Sequence, residues 1–409
     1  VTRRRYAVIG TGDRALEMYV RPLAGPYADV AELVGLCDPN PIRAAAVAEL
    51  AGVPGVRRFE DAGSMLDAVA PDAVIVTSKD VTHDAYIVQA LRAGCDVITE
   101  KPLAIDDQGC RSILQAVEET GRHVRVTFNY RYAPVFTEMK RLLTEGVVGD
   151  VRSVDFHWYL DRSHGADYFR RWHRRRANSG GLFVHKATHH FDLVNWWLAE
   201  RPEAVLAEGA LLVYGASGPF RGERCRGCEH APACEFWWDV GDDEEYRRLY
   251  LDAEPADGYQ RDGCVFDLGV DIFDTMAAIV RYRGGVRMSY SLNAYCAYEG
   301  MRAALNGTDG RLEIEVIESR HVPNDELRVY RYGSEEPIHV VLVPRDGEGH
   351  GGGDERLLDD LFRGGPDDPL GHTAGVLDGA LSVLVGVAAN RSADTGGWAR
   401  IDDLLEGAG

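Results

Sequence analysis

The first third of the chain alternates short apolar runs with Ala- and Leu-rich stretches. The runs are RYAVIG, ELVGLCD, DAVIVTS, CDVITE and HVRVTFNY, and stretches such as RAAAVAELAG separate them. Runs apolar at nearly every position predict strands covered on both faces, and strands separated by helices predict parallel pairing in βαβ units. After about residue 150 the pattern changes to longer segments with alternating polarity: VRSVDFHWYL, AVLAEGALLVYG, AAIVRYRGGVRMSYSL, RAALNGTDGRLEIEVIE and ELRVYRYGSEEPIHVVLV. These predict an antiparallel sheet with one face toward solvent or another subunit, and Gly284-Gly285 as a tight hairpin turn. The expected architecture is α/β: a doubly wound parallel sheet over residues 1–130, then an α+β domain with an open, largely antiparallel sheet over 131–409. Residues 216–265, rich in Gly, Cys, Asp and aromatics, fit neither period and read as an insertion on the second domain. GEGHGGGDE at 347–355 predicts a flexible loop, and HTAGVLDGALSVLVGVAANRSA after it has helical spacing.

Composition narrows the function classes. A chain of 409 residues, 45% hydrophobic and 27% charged, has the length for two domains and the apolar content for real cores. Its formal charge of -20 repels nucleic acid and anionic membrane surfaces. No apolar run reaches the roughly 18 residues of a membrane span, and VTRRRYAVIG passes from basic residues straight into a strand-like run. A cytoplasmic protein without span or signal peptide is expected. Eight cysteines are few for this length, and three crowd into one short window, a pattern of metal binding in a reducing compartment.

The first run ends in Gly10-Thr11-Gly12-Asp13-Arg14-Ala15, a G-x-G-x-x-A turn entering a helix. Glycines there let the backbone approach a diphosphate at a helix N-terminus, as in a Rossmann dinucleotide site. Asp38 closes the next run, placed to hydrogen-bond the ribose hydroxyls. Its charge would repel a 2'-phosphate and no Arg follows at once in DPNP, so NAD is favoured over NADP. The plainer alternative is a tight turn and a solvated acidic strand end.

Glu100-Lys101-Pro102 ends the fourth run, at the carboxyl edge of the predicted sheet, where ligands of such folds bind. With this triplet the sequence resembles the Gfo/Idh/MocA oxidoreductases, of the glucose-fructose oxidoreductase and inositol dehydrogenase type. Thr77, Ser78, His83, Asn129 and Arg131 match positions that line the nicotinamide cleft of that family. A second hallmark, a glycine pair followed by Asp, Gly, His and Asp, reads here Gly180-Gly181-Leu-Phe-Val-His185-Lys-Ala-Thr-His189-His-Phe-Asp192. His189 and Asp192 fall in register, while His185 stands where many members have Asp and Ala187 where they have Gly. The resemblance implies hydride transfer from a carbinol carbon to NAD. Lys101 or His189 takes the hydroxyl proton in this reading, with Lys101 as the polarising acid/base, His189 as its partner and His185 tuning or replacing the missing aspartate. His190 is expected to point away.

Residues 162–176, RSHGADYFRRWHRRR, combine rings and arginines suited to stacking on a sugar and bonding its hydroxyls. His164, Tyr168, Arg171, Trp172 and His173, together with Arg131 and Asp192, are the candidate substrate residues; a solvated basic helix is the alternative. Cys225, Cys228, Cys234 and Cys264 suit a structural zinc that staples the insertion, with an iron–sulfur cluster or free thiols as alternatives and His230 as a substitute ligand. The expected activity is oxidation of a ring hydroxyl of a sugar, glycoside or cyclitol. A redox-neutral, NAD-dependent glycosidase or lyase and a non-catalytic sensor remain as alternatives. The resemblance further implies a homodimer or homotetramer.

Overall fold

The computed structural model describes residues 3–318, 322–345, 350–365 and 367–407. Six strands form the first sheet: β1 Arg4–Ile9, β2 Ala31–Cys37, β3 Arg58–Phe59, β4 Ala73–Val76, β5 Asp96–Thr99 and β6 Val124–Val126. All pair in parallel, in the order β3-β2-β1-β4-β5-β6, so the chain reverses direction across the sheet beside β1 and opens a crevice at the carboxyl edge. The apolar runs are these strands: Ala7, Val8, Val74, Ile75 and Val76 have no exposed surface, as expected with helices on both faces. The two-residue β3 has no such run and escaped the pattern.

The second sheet has nine strands: β7 Val151–Asp161, β8 Pro202–Ala210, β9 Thr275–Tyr282, β10 Arg287–Cys296, β11 Gly300–Gly307, β12 Gly310–Ile317, β13 Asn324–Arg331, β14 His339–Pro344 and β15 Ala399–Arg400. Their order is β14-β13-β12-β11-β7-β10-β9-β8-β15. The sheet is mixed, since β7 and β10 pair in parallel while the other neighbours are antiparallel. Polarity alternation reports which face is buried and not strand direction, so the sequence had no means of showing this parallel pair. Gly285 turns the β9–β10 hairpin, as expected.

Met276, Ala278, Val280 and Tyr282 face the core from β9, while Ile279 is 44% exposed on the outer face. The helix Val376–Thr395 packs under β8 and against the helix Ala187–Leu198, in one continuous core that also takes in Val76, Val97 and Val126 of the first sheet. The glycine-rich stretch departs from expectation. Gly347, Glu348 and Gly349 lie outside the described residues, but His350–Gly352 form a tight turn leading into the helix Gly353–Asp359.

Arg131 and Asp192, expected at the substrate, are paired with each other inside the protein. Their guanidinium and carboxylate form a bidentate pair (2.8 and 2.5 Å), with side chains only 3% and 1% exposed, and Arg131 also donates to the Gly371 carbonyl. They serve as an internal tie between the turn Asn129–Tyr132 and the helix Ala187–Leu198, and neither lines the cleft described below. Asp192→Ala would leave the buried guanidinium only the Gly371 carbonyl and the more exposed Asp378, and we expect a loss of about 3–5 kcal/mol in unfolding free energy, read by urea denaturation. A loss under about 1 kcal/mol would show that the pair is not a structural tie.

Candidate active site

Gly10 follows β1 with φ +91°, and a Cβ there would lie 2.5 Å from the Ser78 amide, so only glycine lets the turn after β1 close against the turn after β4. The helical segment Asp13–Ala24 starts directly behind it. Asp38 accepts from the Thr11 amide (2.8 Å), the Thr11 hydroxyl (2.9 Å) and the Asn40 amide (2.8 Å), which fixes its carboxylate beside the turn. Arg43 lies 3.4 Å from the same carboxylate and is itself held by Asp257 and the Leu249 carbonyl, so it is committed to internal partners.

Glu100 ties the glycine turn to the Glu-Lys-Pro turn. Arg14 Nε and the Tyr19 hydroxyl both donate to Glu100 Oε1 at 2.8 Å, and that guanidinium holds the carboxyl below its ordinary range despite burial. Beside it, half-buried Lys101 directs Nζ at His185, 3.5 Å from Nε2 and 3.3 Å from the carbonyl oxygen. Loss of solvent around the amine pulls its pKa down to about 8, with the Asp80 charge opposing the fall. His185 Nδ1 is 2.5 Å from Asp80 Oδ2. Burial keeps the imidazole neutral, so Nδ1–H is given to the carboxylate and the Nε2 lone pair faces the amine. Burial raises the Asp80 carboxyl, and the Lys101 and Arg171 charges oppose that rise.

Gly180 and Gly181, at φ +69° and +75°, turn the chain into the helix Leu182–His185, which breaks at Lys186 before Ala187–Leu198 begins. His185 and His189 both line the cleft, as their four-residue spacing suggested. His190 turns away to stack on Trp158 (4.3 Å between centroids) and to share a hydrogen with the Tyr290 hydroxyl at 2.8 Å.

These groups open onto one cleft of about 580 Å³ at the carboxyl edge of the first sheet. Gly10, Thr11, Gly12, Asp13, Arg14, Asp38, Thr77, Ser78, His83, Glu100, Lys101 and Asn129 line it, with His164, Tyr168, Arg171, Trp172, His173, His185 and His189. His83 lies beneath, its ring nitrogens on the Pro102 and Ser78 carbonyls at 2.8 and 3.1 Å, which joins the β4 and β5 turns. The aromatic segment forms the opposite wall: Trp172 stacks on His173 (3.5 Å), and His164 reaches the Tyr168 hydroxyl at 3.0 Å. The neighbouring arginines serve the fold, Arg170 on the Phe236 carbonyl and Arg176 on Asp394.

On this cleft, Asn129 Oδ1, His173 Nδ1 and His189 Nδ1 are buried polar atoms with no hydrogen-bond partner within the protein. Two well-placed groups were missed in the sequence. Asp80 stands two residues beyond Ser78 in a turn with no fingerprint of its own. His350 reaches the cleft from the glycine-rich stretch, where a histidine before three glycines was the available signal. Asp80, His173 and His185 bring ligand-type atoms within 4.8 Å of one another, but the 2.5 Å Asp80–His185 contact is a hydrogen bond and an ammonium group adjoins it. Proton handling suits this cluster better than cation binding.

The family model described as "oxidoreductase family, NAD-binding Rossmann fold" matches residues 4–128, and that described as "oxidoreductase family, C-terminal alpha/beta domain" matches 140–401. This chain belongs to the Gfo/Idh/MocA oxidoreductase family. It is similar to the Bacillus subtilis (strain 168) protein named YteT, 40% identical over 94% of each chain. It is also similar to an inositol 2-dehydrogenase of Rhizobium meliloti (strain 1021), 30% identical over 52% of this chain and 61% of the relative. A levoglucosan dehydrogenase structure, in complex with NADH and levoglucosan, shares the fold with a TM-score of 0.69 at 19% identity, covering 98% of this chain and 100% of that one. For this Gfo/Idh/MocA member, an NAD-binding site in the cleft follows from the family, and its glycine turn and unpartnered wall atoms fit such a group.

Cys225, Cys228, Cys234 and Cys264 line a separate cavity of about 20 Å³ with Phe220, Phe236 and Trp237. Arg170 Nη1 lies 3.5 Å from Cys225 Sγ, and the Gly222 amide donates to Cys264 Sγ at 3.4 Å. No three of these sulfurs lie within 4.8 Å of one another, a wider spread than the roughly 3.8 Å between sulfurs around tetrahedral zinc. His230 stacks on Phe220 at 4.7 Å instead of lining this cavity. Among the described residues, no helix is long and apolar enough to cross a membrane.

Lys101→Met removes the amine but leaves the glycine turn and Asp38 in place, so we expect turnover to fall about 10²–10⁴-fold while NADH fluorescence titration shows binding within a few-fold of wild type. Turnover equal to wild type would remove Lys101 from the chemistry.

Proposed function

We propose that this chain is an NAD-dependent dehydrogenase that oxidises a ring hydroxyl of a sugar, glycoside or cyclitol. The observation that carries the reading is the Lys101–His185–Asp80 chain of contacts at the carboxyl edge of a dinucleotide-binding sheet, facing a wall of stacked rings. Bound NAD supplies the hydride acceptor. Neutral Lys101 takes the hydroxyl proton, and His189 holds the same oxygen through a ring nitrogen. His185 orients the amine through its Nε2 lone pair and is itself oriented by Asp80, the carboxylate taking over from the aspartate that many relatives carry at position 185. His164, Tyr168, Arg171, Trp172 and His173 hold the ring. Asp38 favours NAD over NADP, supported by Arg43 being bound to internal partners.

The base must be uncharged to accept a proton, so kcat/KM for oxidation is expected to rise with pH through about 8. Asp80→Asn removes a charge that raises the Lys101 pKa, and the rise should move to lower pH with NADH affinity unchanged. An unmoved profile would take Asp80 out of the proton path. The activity itself is read as NADH absorbance with a panel of sugars, glycosides and cyclitols, and no member producing NADH would contradict the dehydrogenase reading.

A redox-neutral glycosidase or lyase is the second reading, favoured by the Tyr250 side chain lying over the glycine turn, a cover suited to a cofactor that stays bound. NAD-requiring hydrolysis of an aryl glycoside without net NADH would select it. We further propose a reducing, cytoplasmic setting, supported by eight unpaired cysteines, and a homo-oligomer formed through the outer face of the second sheet, supported by exposed Ile279, Val340 and Leu342.

The cysteine cavity is proposed as a structural zinc site, supported by four thiols on one small apolar-walled space, which Cys225, Cys228, Cys234 and Cys264 would share as ligands. Metal analysis of purified protein is expected to give about one zinc per chain. Metal-free protein with four alkylatable thiols there would contradict it.

A further inference from the structure

We propose that the segment from Asp243 to Arg261 is the second wall of the dinucleotide site, and that it retains the cofactor so that NAD(H) leaves slowly between turnovers. The proposal rests on NAD occupying the glycine turn, and not on which sugar is oxidised.

The insertion that carries this segment leaves and rejoins the second domain at one place, where Glu223–Cys225 lie beside Asp262–Cys264. The Cys225 amide donates to the Asp262 carbonyl (2.8 Å), the Cys264 amide donates to the Glu223 carbonyl (3.0 Å), and Arg224 pairs with both Glu254 and Asp262. The excursion between these ties extends to the first sheet. Leu249 is fully buried in the cluster that holds Val8, Leu16, Leu36 and Val47. Arg21 pairs with Glu245 at 2.6 Å, Arg248 pairs with Glu49, and Asn40 Nδ2 donates to the Ala253 carbonyl at 2.9 Å.

Between these anchors the segment crosses the diphosphate position. The Asp13 amide, one of the free N–H groups with which a helix start binds an anion, donates to the Tyr250 hydroxyl at 3.0 Å. That hydroxyl would lie 3.5 Å from a Cβ on Gly12, so the phenol stands directly on the turn. Tyr259 borders the same cleft, with Lys79 over its ring at 5.4 Å, and Asp257 holds Arg43 beside Asp38 at 2.8 Å. At the far end Arg261 makes a bidentate pair with Asp167 (2.7 and 3.1 Å) and lies over the rings of Trp238, Tyr246 and Tyr250.

A diphosphate seated on the Asp13 amide takes the place of the Tyr250 hydroxyl there, and the displaced phenol, still carried by this wall, then faces a phosphate oxygen as a donor. Departure of the diphosphate requires this wall to lift, which exposes Leu249 and breaks the pairs at Arg43 and Asn40. Residue 250 and its neighbours act as retention residues and take no part in proton or hydride movement.

The test uses the full chain. NADH release into excess NAD is followed by nicotinamide fluorescence for wild type, Tyr250→Phe and Tyr250→Phe/Asp257→Ala. The double variant is expected to release NADH about tenfold faster or more, with the association rate within a few-fold of wild type, since hydrogen bonds to charged groups of about 1.5–3 kcal/mol correspond to such factors. In parallel, NAD should slow tryptic cleavage after Arg247 and Arg248 in the wild-type chain, a readout that needs no variant to fold. Equal release rates, or cleavage indifferent to NAD, would overturn the proposal. Wild-type protein that bound no NADH would overturn the cofactor reading as well.

Discussion

An amine withdrawn from water is the constraint on which the site is built. Lys101 is carried to the sheet edge by the turn after β5, where surrounding protein disfavours its charge. Three segments meet to hold it: Glu100 is clamped by Arg14 from the glycine-turn helix, His185 is presented by the break after the glycine pair, and Asp80 comes from the turn after β4. Moving any one of the three changes the charge or direction of the amine. The glycine turn and the Glu-Lys-Pro turn are thereby one connected structure, joined through the Arg14–Glu100 pair.

This arrangement explains how histidine at position 185 is accommodated. A neutral imidazole alone offers the amine no charge. Backed by a carboxylate 2.5 Å away, it acquires a fixed tautomer and a partner able to balance an ammonium group. The negative charge is supplied by Asp80, and the imidazole connects it to the amine.

Much of this was legible in the sequence, for identifiable reasons. The parallel strands are fully buried and announce themselves as unbroken apolar runs; the glycine turn and the Glu-Lys-Pro turn are local motifs whose spacing survives without tertiary context. His185 and His189 were found because they follow the glycine pair of the family's second hallmark, and the residues from His164 to His173 because they crowd into one ring- and arginine-rich stretch. What escaped depends on long-range pairing. The parallel β7–β10 pair is invisible to alternation, and Asp80 gains its role only across 105 positions. Arg131 and Asp192 read as pocket residues because they fall at positions of the family resemblance, yet 61 positions apart they pair with each other inside the core. The insertion read as a metal-stapled appendage, while the bond from Arg43 to the Leu249 carbonyl, 206 positions apart, and Tyr250 on the cleft wall show it lying against the first domain.

The central claim is that the Lys101 amine and the His189 ring converge on the nicotinamide of a cofactor seated on the Gly10–Gly12 turn. A crystal structure of the chain with NAD and a bound sugar tests it most directly. The account predicts the diphosphate on the Asp13 amide, the ribose hydroxyls on Asp38, and Lys101 Nζ within hydrogen-bond reach of a sugar hydroxyl whose carbon faces C4 of the nicotinamide. A dinucleotide bound elsewhere, or a nicotinamide ring with Lys101 and His189 on separate sides of a protein wall, would contradict it.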